Sequence, residues 1–133
     1  MHESSEPAII LLAHGARDPR WGEPFQRIAD RLRVAAPELV VEMAYLEHMA
    51  PDLAEAAHRL AARGAQRIRV VPLFFGRGGH LREDVPRQLA AAGKALPGVT
   101  LDLALPAGED DAVIDALAAF CVRAAREPQA GRG

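Results

Sequence analysis

His14, Glu47 and His80 are the residues of this chain best suited to hold a metal ion. Imidazole is largely neutral at pH 7 and is the commonest protein metal ligand. Two imidazoles and a carboxylate suit cobalt, nickel, iron or zinc, with coordination positions left open. Neither an HxxxH nor a CxxC spacing brings any two of them together locally. Their meeting therefore depends on the fold. Taken singly, a histidine after a strand is more often a loop residue or a helix cap.

The segment Gly76-Arg77-Gly78-Gly79-His80 puts three glycines into five residues. Glycine permits backbone angles and close approaches that other residues resist. Such a loop can serve as a turn into a helix, cradle a phosphate at a helix N-terminus, or lie against a flat ligand. Its spacing fits neither the dinucleotide fingerprint nor the P-loop. Arginines cluster nearby: Arg17 and Arg20 beside His14, and Arg77 and Arg82 beside His80. Fifteen of the sixteen basic residues are arginine, and Lys94 is the lone lysine. Guanidinium forks bind carboxylates in a bidentate manner, although a GC-rich genome also enriches arginine.

The elements that must position these side chains are legible as alternating strands and helices. Ala8 to Leu12 is a short apolar run, as expected of a strand buried on both faces. Further strands are expected at Leu39–Tyr45, Arg67–Pro72 and Val99–Ala104. Apolar stripes predict a helix through Phe25, Ile28, Leu32 and Ala35, and another through Leu53, Ala56, Ala57, Leu60 and Ala61. Pro51 suits the first turn of the second helix, and Gly64 its C-terminal cap. A third helix is expected from Arg82 to Ala95, and a fourth along Ile114, Leu117, Cys121 and Ala124. This alternation implies a parallel sheet with helices on both faces. Ligands of such sheets bind beyond the carboxyl ends of the strands. His14, Glu47 and His80 all fall on that edge, as do the glycine-rich loop and its arginines.

The bulk composition narrows the field. At 133 residues the chain is expected to be one domain, with tails at residues 1–6 and 128–133. A net charge of −2 argues against nucleic acid as a partner. A single cysteine, Cys121, excludes an internal disulfide and a cysteine-based zinc site, and its apolar stripe predicts a buried, inert thiol. No apolar run is long enough to span a membrane, and residues 1–7 lack signal-peptide character, so a cytoplasmic location is expected. Trp21 and Phe25 are expected in the core rather than as a stacking platform. His2 and His58 are expected to have no role, while His48, next to Glu47, is a candidate for supporting it or facing substrate.

Three segments carry a resemblance to a known family. They are Leu12-Ala13-His14-Gly15-Ala16-Arg17-Asp18, then Tyr45-Leu46-Glu47, then Val71-Pro72-Leu73-Phe74-Phe75 leading into Gly78-Gly79-His80-Leu81-Arg82-Glu83-Asp84-Val85-Pro86. Together they resemble the class II chelatases of the sirohydrochlorin type, the CbiX/SirB family. The resemblance runs from the first strand to the start of the fourth helix. It implies a chelatase-like three-layer α/β/α fold with a four-stranded parallel sheet. It implies insertion of Co²⁺, with Fe²⁺ or Ni²⁺ as alternatives, into a sirohydrochlorin-type tetrapyrrole. No tightly bound cofactor is expected, the metal being a substrate. His14 and His80 would bind metal and assist pyrrole deprotonation, with Glu47 as the acidic partner. Arg17, Arg77 and Arg82, with Gly78 and Gly79, would hold the substrate. Larger members contain two such units, so a single unit implies a homodimer.

The chain departs from the family pattern at Ala16, commonly serine, and at Glu109-Asp110, where a His-Pro is frequent. His48 replaces an apolar residue. These departures keep open a rival reading: a metal- or tetrapyrrole-binding protein of the same fold that does not turn over. A histidine phosphatase fits poorly, because that chemistry wants an arginine where Ala13 stands.

Overall fold

A computed structural model describes residues 8–76, 78 and 81–128, the side chains of residues 81 and 82 excepted. Strands and helices alternate: β1 (Ala8–Ala13), α1 (Glu23–Ala35), β2 (Val41–Tyr45), α2 (Leu53–Ala62), β3 (Arg67–Pro72), α3 (Leu81–Ala95), β4 (Thr100–Leu103) and α4 (Asp111–Arg126). The expected α/β architecture with a four-stranded parallel sheet is what forms, in the order β2-β1-β3-β4. The expected tails lie outside the described residues, apart from Pro128.

The strand order follows from two crossovers in opposite directions. The chain steps from β1 outward to β2, then back past β1 to β3. Right-handed crossovers then place α1 on one face and α2 with α3 on the other. Side chains of β1 alternate accordingly. Ile10 and Leu12 join Ile68, Val70, Leu53 and Leu60 in one core. Leu11 and Ala13 join Val41, Met43, Tyr45 and Ala29 in the other. Register is fixed by this alternation, with Ile10 opposite both Glu42 and Val70.

Helix α2 is set by its own ends. The Asp52 carboxylate accepts from the Glu55 backbone N–H at 2.8 Å, and Glu55 accepts from the Asp52 N–H at 2.9 Å. This reciprocal capping box satisfies two N–H groups that have no partner within the helix. Pro51 therefore lies before the cap rather than in the first turn, contrary to expectation. Gly64 ends the helix as expected, at φ 99°. Leu53, Ala56, Ala57 and Leu60 are buried, and each such leucine contributes about 1.5–3 kcal/mol. His58 is exposed on the opposite side.

Two stripes differ from expectation. On α1 the buried member is Ala29, while Ile28 is 44% exposed and Ala35 is exposed. Among the described elements this helix packs chiefly on β2 and has no substantial packing with another α-helix. On α4 no residue is buried, and Cys121, expected inside, is exposed. The apolar stripe exists, but among the described residues nothing buries it.

Candidate active site

Ala13 and Tyr45 are paired at the ends of β1 and β2, and the chain continues side by side beyond them. The Leu46 N–H donates to the Ala13 carbonyl at 3.0 Å, and the Glu47 N–H to the His14 carbonyl at 3.2 Å. Two loops that are independent in sequence are thus laced together. Gly15 makes the approach feasible. Its φ is 97°, and a Cβ there would lie 1.9 Å from the Glu47 carbonyl oxygen.

The turn after β2 is unusual. His48 has φ 69°, and the Met49 N–H donates across it to the Glu47 carbonyl at 2.8 Å. This is a γ-turn with positive φ at its centre, a rare and strained arrangement. Strained residues of this kind cluster at active sites. The turn brings both neighbouring side chains to one place. Glu47 Oε2 lies 3.6 Å from His14 Nε2 and 3.9 Å from His48 Nε2. The first separation is too long for a hydrogen bond. Two ligands of one tetrahedral metal ion at the usual bond lengths lie roughly 3.3–3.5 Å apart. His14 Nδ1 is 3.4 Å from the Gly15 carbonyl, a second-nitrogen contact that leaves Nε2 free to act. The side chains of His14 and Glu47 are 40% and 45% exposed, so a ligand can reach them.

Of the expected site residues, His14 and Glu47 are brought together. His80, Arg77 and Gly79 lie outside the described residues, as does the side chain of Arg82. Among the described residues no group of three or more histidine, cysteine or acidic side chains is arranged to hold a metal ion. Arg17 is exposed on the His14 loop. Gly78 is exposed, with open space where a Cβ would be. Arg20 is otherwise engaged: Asp18 accepts from its backbone N–H at 3.0 Å, its Nε at 3.2 Å and its Nη2 at 2.9 Å. These bonds cap a 3-10 turn over Pro19–Gly22 and hold the Asp18 carboxyl below its ordinary range. Trp21 and Phe25 form a tilted pair, 4.7 Å between centroids, packed on the second core as expected.

The loop after β4 is held against Phe74 and Phe75, just beyond β3. The Gly108 N–H donates to the Phe74 carbonyl at 3.1 Å, and a Cβ on Gly108 would lie 2.2 Å from Phe75 Cα. Gly108 carried no local signal in the sequence. Asp110, one of the two departures after β4, caps α4 by accepting from the Val113 N–H at 3.2 Å. The Asp18 clamp had a readable cue in Asp-Pro at a turn start.

Comparison with known proteins bears on what this edge does. The CbiX family model matches residues 8–124. A sirohydrochlorin cobaltochelatase from Sulfurisphaera tokodaii is 33% identical over 109 residues, covering 82% of this chain and 86% of that protein. The crystal structure of a CbiX protein from Marinobacter aquaeolei VT8 superposes with a TM-score of 0.79 at 36% identity, covering 90% of this chain and 98% of that one. The sirohydrochlorin chelatase SirB from Bacillus subtilis, solved with cobalt, shares the fold with a TM-score of 0.77 at 24% identity. This chain spans 51% of that longer protein.

Proposed function

The chain belongs to the CbiX family, and from that premise we propose that it inserts a divalent metal, Co²⁺ by preference over Fe²⁺ or Ni²⁺, into a sirohydrochlorin-type tetrapyrrole. The observation that carries this reading is the open His14–Glu47 pair at the carboxyl edge of the sheet, 3.6 Å apart. Metal and macrocycle are both substrates. Insertion exchanges two pyrrole N–H protons for one metal ion, so the site must accept two protons and release the metal.

A neutral imidazole can accept a proton near neutral pH, which suits the first task. His14 and His80 divide metal delivery and proton acceptance, and Glu47 offsets the cation's charge. Partial exposure of His14 and Glu47 leaves open positions through which the metal can pass to ring nitrogens. Arg17, Arg77 and Arg82 hold the peripheral carboxylates by charge-assisted hydrogen bonds. Gly78 and Gly79 let the backbone approach the ring. Arg20, clamped by Asp18, is not assigned to substrate. The protein works as a homodimer in the cytoplasm, without a tightly bound cofactor. Among the described residues no helix is long and apolar enough to cross a membrane.

The test of metal choice is anaerobic absorbance with sirohydrochlorin and Co²⁺, Fe²⁺ or Ni²⁺ in turn. Acceleration over the metal-only background, greatest for Co²⁺, is expected. Tight metal or tetrapyrrole binding without acceleration for any metal would establish the non-catalytic alternative instead.

A further inference from the structure

The turn after β2 carries a second imidazole, His48, beside the His14–Glu47 pair. His48 sits at the centre of the γ-turn, at φ 69°. Glycine would form such a turn without steric cost, whereas a residue with a Cβ is strained there. The strain persists because the backbone on either side is tied down. The Leu46 and Glu47 N–H groups donate to the carbonyls of Ala13 and His14, and the Met49 N–H donates to the Glu47 carbonyl. The Tyr45 N–H donates to the Pro51 carbonyl at 2.9 Å, closing the loop at its base. Met49, the next residue, packs on the second core. The turn is thus anchored on both sides of His48, and the imidazole is not needed to form it.

Glu47 stands between two imidazoles. Its Oε2 is 3.6 Å from His14 Nε2 and 3.9 Å from His48 Nε2. Neither separation is a hydrogen bond. The side chains of His48 and Glu47 are 34% and 45% exposed, so a hydrated ion can reach both. Two ligands of one tetrahedral ion lie roughly 3.3–3.5 Å apart, so a shift of about half an ångström lets His48 and Glu47 share a cation. Among the described residues no three such side chains are arranged to hold an ion together. The turn builds instead two positions of two ligands each, with one carboxylate oxygen in common. The sheet order gives them a direction. Glu47 and His48 follow β2 at the edge, and His14 follows β1 inside it. The connection after β3, the next strand across, carries His80 in the sequence.

We propose that His48 and Glu47 form a loading site for the divalent metal, distinct from the position that delivers it to the macrocycle. His48 Nε2 and Glu47 Oε2 take a hydrated cation that accepts both imidazole and carboxylate, such as Co²⁺ or Ni²⁺. Water fills the remaining positions. In the handover the bond from His48 Nε2 to the metal breaks and one from His14 Nε2 forms, while the bond to Glu47 persists. The carboxylate common to both positions keeps the cation's charge offset throughout. The inference rests on the chelatase reading for the use of the metal, and adds to it a residue outside His14, Glu47 and His80.

The test reads the binding of Co²⁺ alone, without tetrapyrrole. His48→Gly keeps the positive φ of the turn and removes the imidazole. His48→Asn also tolerates that φ and is too short to reach. Both variants should keep the native circular dichroism. In isothermal titration each should bind Co²⁺ about tenfold or more weakly than the native protein, the scale on which groups around a metal site act. His14→Ala should still bind Co²⁺ and should lose most of that binding when His48→Gly is added. Proton NMR should show one more strongly shifted imidazole in the Co²⁺-loaded native protein than in His48→Gly. With sirohydrochlorin present, the KM for Co²⁺ should rise in His48→Gly by the same factor as the affinity falls, and the rate at saturating Co²⁺ should fall far less. Equal Co²⁺ affinity with and without His48, in the native or the His14→Ala background, would overturn the loading site, as would a native protein that binds no Co²⁺ by itself. Binding that depends on His48 in a protein without insertion would sink the chelatase reading and leave the His48 site standing.

Discussion

Gly15 lies so close to Glu47 that a Cβ would stand 1.9 Å from the Glu47 carbonyl oxygen. The positive φ of Gly15 and the absence of a side chain are both required for that approach. The contact locks the His14 loop to the Glu47 turn, and the spacing of the His14 and Glu47 side chains follows from it.

Gly15→Ala should therefore damage the site and the fold together. Strained φ alone costs of order 1–3 kcal/mol, and the clash with backbone adds to it. Urea unfolding should show a lower midpoint, and insertion should fall well beyond the loss of folded protein. A variant with unchanged stability would show that the two loops can separate without cost.

Glu47→Gln keeps the side chain's shape and removes its charge. With the carboxylate 3.6 Å from His14 Nε2 and 3.9 Å from His48 Nε2, its loss should weaken metal capture and slow insertion. A fall in rate of roughly 10²–10⁴ is expected for a group that assists proton transfer or charge balance. Isothermal titration with Co²⁺ separates the two effects. Unchanged affinity and unchanged rate would remove Glu47 from the site.

Asp52→Ala tests a purely structural element. It breaks the capping box at the start of α2, which should cost about 1 kcal/mol and lower Tm by a few degrees. Activity per folded molecule should be unaltered.

The Asp18–Arg20 clamp has a sign that acid titration can read. Hydrogen bonds from the Arg20 side chain, then from its backbone, hold the Asp18 carboxyl below its ordinary value. A depressed folded-state value means the clamp's contribution is fully present above the ordinary aspartate value and is lost as pH falls through the lowered midpoint. Carboxyl NMR should show Asp18 titrating below free aspartate, and Arg20→Ala should return it toward the ordinary range. An unaltered midpoint in that variant would mean that the arginine side chain is not the main cause.

What the sequence could show was local. The β1 run, the Gly64 cap and the α2 stripe are fixed by residues adjacent in the chain, and all three formed as expected. His14 and Glu47 could be placed on one edge because strand–helix alternation dictates which loops share it. The Gly108 brace is not legible in the sequence, because its meaning lies in a contact with Phe75 between the loops that follow the neighbouring strands β3 and β4. The exposure of Cys121 had the opposite cause. Its stripe is apolar, as the spacing predicts, but among the described residues α4 meets no surface that buries it. On α1 the same incomplete covering left Ile28 outside the packed face.

The most direct test of the account is single-turnover insertion of Co²⁺ into sirohydrochlorin by native protein, His14→Ala and His80→Ala, followed anaerobically by absorbance. The account expects clear acceleration by the native protein and rates at the metal-only background for both variants, each still folded by circular dichroism. Full insertion by His14→Ala would contradict it, because the open pair with Glu47 would then not be where the metal is handled.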